Sequence, residues 1–370
     1  MVHRIRISRK KRCYEDDVCH NRWHPEIPPI LSVEPGDIVE LEMRDALDFQ
    51  VRDEPGVEDL KTMELGVAHP LTGPIYVEGA EPGDLLKVEV MDIKTYQFGY
   101  SAILPGFGFL REKFEEYYKA RWHIRNGVAR SPEIPGVTIP GDPFLGVMGV
   151  APSYELMKII MEREARLYSE GKTVYLPTHK GAAPPREPFI SEGLRTIPPR
   201  ENGGNMDTRE MSIGSTIYFP VFVKGALFSA GDMHFAQGDG EVCGMAIETG
   251  GTATLKIDLI KEGARKYRVK SPIYIPSSNS IHRFNRYIVA TGHGVNWDYY
   301  DGENINLSAK SALNNIFKIL ESMGYTREQA YILFSVAGDL RISQAVDVPN
   351  LTVSAFIPLD IFENPPDFLD

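Results

Sequence analysis

The chain has 370 residues, 42% of them hydrophobic, and a formal net charge of −11 from 40 basic and 51 acidic side chains. This is the balance of a folded globular protein with a sizeable core, and it excludes a general phosphate-binding surface, so no nucleic-acid partner is expected. No apolar run approaches the ~20 residues of a membrane span, and the N-terminus carries charges where a signal peptide needs its apolar stretch. Three cysteines (Cys13, Cys19, Cys243), few and odd in number, argue against a disulfide framework, and a cytoplasmic address without membrane contact is the expectation. The length admits two domains or one large integrated β structure. The division expected is a β-rich region over 1–150, a helix plus an irregular excursion over 151–200, and a metal-site β-sandwich with C-terminal helices over 201–370, which forms one catalytic unit with 1–150.

Taken in chain order, the basic cluster Arg4 to Arg12 has Ile5 and Ile7 threaded through it and reads as a first strand rather than a nucleic-acid arm. Glu34-Pro35-Gly36-Asp37 and its echo Glu81-Pro82-Gly83-Asp84 each place Pro and Gly where a type II turn needs them. A strand follows each, Ile38 to Met43 and Leu85 to Val90, and in the first Val39, Leu41 and Met43 alternate with glutamates. A short helix is expected near Arg111 to Arg121. Ser153 caps a helix running to about Ser169, with Gly171 past its end. Residues 172–200, rich in proline and glycine and without periodicity, read as a long irregular excursion, and loops of that length are often functional.

From Ser215 the pattern is strongly β. Ser215 to Val223 and Ala226 to Phe235 read as strands joined by a hairpin at Lys224-Gly225, and Val242 to Glu248 as a third. Ala253, Leu255, Ile257 and Leu259 give a fourth. Ser308 is the expected cap of a helix carrying Ala312, Leu313, Ile316, Phe317 and Leu320 on one face, stopped at Gly324. Thr326 with Gln329 makes a capping box for a last helix through Tyr331 to Val336. The fold class is therefore mainly β with some α+β character: antiparallel sandwich or barrel-like sheets with a few peripheral helices.

Chemistry gathers between Gly231 and Glu248. Successive strand residues point to opposite faces, so Asp232 and His234 share one, and a carboxylate beside an imidazole is a usual start for a Zn²⁺ site. Gln237-Gly238-Asp239-Gly240-Glu241 follows, all oxygen donors between glycines that let backbone approach closely. A lone Asp-x-His is as readily a structural hydrogen bond, and the loop as readily a solvated turn. Position favours the functional reading: polar groups interrupting apolar strands cost ~1–3 kcal/mol each if buried unpaired. Upstream, Gly203-Gly204 would present Asn205 and Asp207 from a tight turn, and His69 precedes a strand. His20 and His24 have the spacing of a helical Zn pair, but Pro25 argues against a helix there, so they rank below the others.

Gly231-Asp232-Met233-His234-Phe235-Ala236-Gln237-Gly238-Asp239-Gly240-Glu241-Val242-Cys243-Gly244-Met245-Ala246-Ile247-Glu248 resembles the signature of the acetamidase/formamidase family. Gly203-Gly204-Asn205-Met206-Asp207 and the segment from His69 to Asp84 match two further stretches, and the likeness also takes in His20 to Pro25 and Gly338 to Ser343. The excursion at 153–200 is similar to that of the longer, formamidase-type members. The resemblance implies a β-rich fold with a metal site, a homo-oligomer (dimer or higher), and hydrolysis of short aliphatic amides to a carboxylic acid and ammonia. One departure stands out: such relatives carry histidine just before the Gly-Gly-Asn turn, where this chain has Asn202.

On that reading a divalent ion, of the zinc type with calcium as the alternative, is held by Asp207, Asp232 and His234, with His69 as a further candidate. Glu241 serves as general base and then acid, or else supports a ligand. Asn205 and Gln237 donate to the oxyanion or accept from the amide NH₂. A small closed pocket is expected for so small a substrate. Cys243 shares parity with Met245 and Ile247, the apolar side, which makes it a buried thiol and not a nucleophile. Two competing readings are a cupin-like metalloenzyme, which would usually bring a His-x-His pair absent here, and a non-enzymatic sandwich binding calcium through Asp232, Asp239 and Glu241.

Overall fold

The computed structural model describes residues 1–277, 284–294, 301, 303–346, 348 and 350–365. Two large sheets dominate. One has six strands in the order Val2–Ile5, Ile38–Met43, Gly251–Ile260, Leu85–Thr95, Thr216–Pro220, Ile273–Ile275. The Gly251–Ile260 strand is its spine, antiparallel to both Ile38–Met43 and Leu85–Thr95. The two Glu-Pro-Gly-Asp turns lead into those two neighbours. In each, the Asp N–H closes the turn on the Glu carbonyl and its carboxylate accepts from the Glu N–H. Gly36 and Gly83 take φ of 94° and 101°, the left-handed conformation a type II turn requires.

The second sheet has eleven strands, and its centre is Phe228–His234. This strand pairs antiparallel with Phe144–Gly149, with Leu71–Val77 and, at its far end, with Glu248–Thr249. All seven of its residues are buried. One face of the sheet's centre packs on the six-stranded sheet, where Val39, Leu41, Val88, Leu255 and Ile257 meet Leu145, Met148, Phe228 and Met233 in one apolar core. That is a β-sandwich, as the alternating patterns required. A second core joins Tyr100 and Trp122 of the large sheet to helices Ile305–Ser322 and Arg327–Ala337 and to a three-stranded sheet of Tyr287–His293, Thr352–Pro358 and Asp339–Gln344.

Helix capping at two sites follows the sequence. Ser153 accepts from Leu156 N–H at the head of Tyr154–Ser169, and Thr326 and Gln329 form the reciprocal capping box of Arg327–Ala337. The helix expected from Ser308 starts one turn earlier, capped by Asn304, and Ser308 is buried within it. The segment Arg111 to Arg121 is not a helix: a short 3₁₀ turn, Arg111–Lys113, precedes the strand Tyr118–Arg125, whose buried Ala120, Trp122 and Ile124 show the period of two.

Three further expectations are corrected. Lys224-Gly225 does not close a hairpin, because Thr216–Pro220 and Phe228–His234 lie in different sheets and the connection crosses the sandwich. Val242 to Ile247 is not a strand: only Glu248–Thr249 pairs, and the preceding residues form a buried irregular loop, so its apolar character reflects burial without a ladder. Cys13 and Cys19 form a disulfide, leaving Cys243 free. A 3₁₀ turn at Cys13–Glu15 brings their Cα atoms to 5.2 Å, within bridging range, which counting cysteines cannot reveal. The cysteine argument for a cytoplasmic address is thereby removed. None of the described helices is long and apolar enough to cross a membrane.

Candidate active site

Four chain segments converge beside the Phe228–His234 strand. Asp232 has φ of 55°, so strict alternation is broken there, yet its Oδ1 still lies 3.4 Å from His234 Nε2. The strand Glu248–Thr249 pairs Glu248 with His234 and sets Glu248 Oε2 3.2 Å from the same nitrogen. On the other flank, Gly203–Asn205 is hydrogen-bonded to Phe144–Gly149 and delivers Asn205 and then Asp207. Glu241 enters from the irregular loop. The ligand atoms of Asp207, His234 and Glu241 lie within 4.8 Å of one another, and so do those of Asp232, His234 and Glu248. His234 belongs to both groups.

Gly146 makes the room. It sits mid-strand in Phe144–Gly149, and a Cβ there would fall 2.5 Å from Asp207 Oδ1, 2.7 Å from Asp232 Oδ2 and 2.9 Å from His234 Cε1. Gly146 and Glu248 were both missed as site residues in the sequence. The available signals were a glycine inside an otherwise apolar strand, which marks close approach, and a glutamate closing the signature segment.

The site is strained and undersatisfied. Asp207, Asp232 and Glu241 all hold left-handed backbone, with φ of 44°, 55° and 40°. Such conformations are held by surrounding structure and cluster at functional sites. Asn205 Oδ1 and Asp207 Oδ1 are buried with no hydrogen-bond partner, and Asp232 Oδ1, Glu248 Oε2 and His234 Nε2 are buried with only their ion-pair contacts to one another and no aligned hydrogen bond. Orphaned buried acceptors are costly, and four carboxyl groups around one imidazole cannot all carry charge unaided. Burial, and then the charge of Asp232, push the Asp207 carboxyl well above its usual range. Burial, and then the charge of Asp207, do the same to Glu241. Burial also raises Glu248. For Asp232 burial is outweighed by His69 and His234 and the pKa is lowered, while His234 is raised because Glu248 and Asp232 outweigh its own burial. A site that must hold protons on its acids to be tolerable is one a cation would stabilise. The donor set, mixed oxygen and imidazole nitrogen, fits a divalent transition metal.

The other expected residues are distributed unevenly. Asn205 lines the cavity, and its Nδ2 donates to Asp207 Oδ2 at 2.6 Å, leaving Oδ1 as an acceptor. Gln237, expected to face the substrate, is not among the residues lining the cavity. Its Nε2 donates to the Asp207 carbonyl and its Oε1 accepts from His234 Nδ1 at 2.9 Å, so it orients the ring and leaves Nε2 facing the carboxylates. His69 lies on the cavity wall with Nδ1 unpartnered but outside both donor groups. Asp239 pairs with Arg209 instead of joining Asp232 and Glu241, so the calcium set of the competing reading is not assembled. Asn202 donates to the Val150 carbonyl and is not on the cavity wall. His20 is bound to the Arg22 carbonyl and Ser229 Oγ, with burial lowering its pKa to about 4, and plays no part. Cys243 is buried, its thiol pushed up to about 12 by desolvation.

The profile of the acetamidase/formamidase family matches residues 6–364. The chain belongs to that family. It is 36% identical to a formamidase of Methylophilus methylotrophus over 96% of this chain and 92% of the relative, and 36% identical to an acetamidase of Mycolicibacterium smegmatis over 86% and 85%. In structure it is similar to a γ-lactamase from Delftia acidovorans, with a TM-score of 0.93, 33% identity and coverage of 100% of this chain and 96% of that one. An acetamidase of Bacillus halodurans gives a TM-score of 0.56 at 28% identity, covering 92% and 95%. Family membership makes the chain a hydrolase of amide C–N bonds, and of the acids around His234, Asp232, Glu241 and Glu248 lie in the segment from Gly231 to Glu248 and Asp207 in the stretch from Gly203 to Asp207.

Proposed function

We propose that the chain hydrolyses small carboxamides at the His234 cluster with the help of a divalent cation. Asp207, Asp232, His234 and Glu248 would hold it. The imidazole donor favours a zinc-type ion over calcium, which prefers six to eight oxygens. When bound, such an ion supplies Lewis acidity to the amide carbonyl and makes water a better nucleophile at neutral pH. Glu241, facing the cavity, takes a proton from the attacking water and returns it to the departing nitrogen. The C–N bond breaks as a C–O bond forms, and the products are a carboxylic acid and ammonia. Asn205 Oδ1 accepts from the amide NH₂ and orients it. Gln237 keeps the His234 ring in place. His69, on the cavity wall and outside both donor groups, is proposed to face the substrate and not to hold the ion. Assembly into a homo-oligomer, measurable by light scattering, accompanies this proposal.

The observation that carries this reading is the pair of donor groups that share His234, buried and short of hydrogen bonds. The test is ammonia release from formamide and acetamide before and after chelation, with metal content measured on the same sample. Loss of turnover on chelation and its return with Zn²⁺ are expected; full activity in a metal-free sample refutes the metal role. A ring amide is a second reading, favoured by the end-to-end structural likeness to the γ-lactamase, and is tested by ring opening to the amino acid, since a lactam releases no ammonia.

A further inference from the structure

The cavity over the cluster measures about 450 Å³. This is not the small closed pocket expected for formamide or acetamide; sites of ~300–1,000 Å³ enclose molecules of drug size. Polar groups line the cavity at the donors and again at Lys61, Tyr117 and Tyr175. The rest is walled by Leu47, Leu60, Leu104, Phe107, Ile197 and Met245. Among the described lining residues the only charge away from the donors is Lys61, whose Nζ donates to Glu58. Water against the apolar part of the wall gains little from it, and an apolar substituent that displaces it there is favoured in proportion to the area it buries.

The signature segment helps to build this wall. Gly244 has φ of 83°, and a Cβ there would fall 2.3 Å from Phe107 Cε1. The donors give no reason for a glycine at this position; the seating of the Phe107 ring against the loop does. Met245, next in the chain, is also on the wall. The loop that supplies Glu241 therefore also supplies the floor under an aromatic wall residue.

We infer that the preferred substrate is a primary carboxamide with an extended apolar acyl group, an alkyl chain or a ring, seated against Leu60, Leu104, Phe107 and Met245. This rests on the amide-hydrolysis reading above and adds the substrate class. Water's oxygen joins the acyl carbon, the C–N bond breaks, the nitrogen leaves with one of water's protons as ammonia, and the product is the apolar carboxylic acid.

The experiment measures kcat/KM for formamide, acetamide, butyramide, hexanamide and phenylacetamide on the zinc-loaded enzyme. Each methylene buried is worth roughly fourfold. A rise on the order of a hundredfold from acetamide to hexanamide is therefore expected, with hexanoate inhibiting more tightly than acetate. Phe107→Ala should lower the hexanamide-to-acetamide ratio by roughly tenfold, the contact of about two methylenes. Rates that are highest for formamide or acetamide and fall with length overturn the inference and leave the hydrolase reading intact, as does a ratio unmoved by Phe107→Ala. No ammonia from any amide in the series, together with no ring opening of a γ-lactam to its amino acid, overturns the hydrolase reading and this inference with it.

Discussion

Gly146→Ala isolates the geometry of the cluster, because it changes no donor. Gly146 lies in a regular strand with ordinary backbone, so alanine costs nothing in conformation. Its methyl group, however, would start 2.5 Å from Asp207 Oδ1 and 2.7 Å from Asp232 Oδ2, where ordinary contact begins at 3.4 Å. The two carboxylates would have to retreat by about 0.9 Å and 0.7 Å, and neither can do so freely: Asp207 is tied to Asn205 Nδ2, and both acids sit on left-handed backbone. Displacement of reacting groups by ~1 Å costs on the order of 10²-fold in rate. Ammonia release should fall by about that factor, and bound metal should fall with it. Thermal unfolding should show a loss of about 1–3 kcal/mol, the usual cost of overpacking. A Gly146→Ala protein with near-normal turnover and full metal occupancy would refute the placement of the cation among Asp207, Asp232 and His234.

Other expected outcomes follow from single side chains. His234→Ala and Glu248→Gln should each abolish turnover and metal retention while circular dichroism stays native; a Glu248→Gln enzyme at full rate would remove Glu248 from the donor set. Cys243→Ala should keep kcat, since the buried thiol is pushed up to about 12 and carries no thiolate at neutral pH; inactivation of a folded variant would revive a cysteine mechanism. Asp45 is buried, accepts from the Leu47 and Phe49 N–H groups through Oδ1, and has its carboxyl pushed up to about 7 by desolvation. The folded state thus holds a proton that the unfolded state releases near 3.8, so its contribution is full below about pH 4 and is lost as pH rises through 7. The loss is at most roughly 4 kcal/mol. Asp45→Asn keeps the acceptor and should flatten stability between pH 4 and 8 in chemical denaturation; an unchanged slope refutes it.

Much of the scaffold was legible because its causes are local. The Glu-Pro-Gly-Asp turns, the alternation of Val39, Leu41 and Met43, and the caps at Ser153 and Thr326 depend on neighbours a few residues away, and all appear as expected. So does the pairing of Asp232 with His234, although a backbone twist and not simple alternation completes it. The family signature made the class of reaction readable as well. What failed was long-range. Whether Lys224-Gly225 closes a hairpin or crosses a sandwich depends on which sheet each flanking strand joins, and both patterns look alike locally. Val242 to Ile247 is as apolar as a strand because it is buried on all sides, not because it pairs.

The sequence by itself determined the β-rich class, the turns and caps, and the identity of most acids at the centre, since short-range periodicity and turn chemistry specify these without knowledge of partners. Only the tertiary structure brings Glu248 and Gly146 beside His234, sets Gln237 against the His234 ring, and opens a cavity of about 450 Å³ over them. Those facts arise from strands that are distant in the chain, and separation in sequence carries no record of which backbone a glycine lets in or which wall faces an empty space.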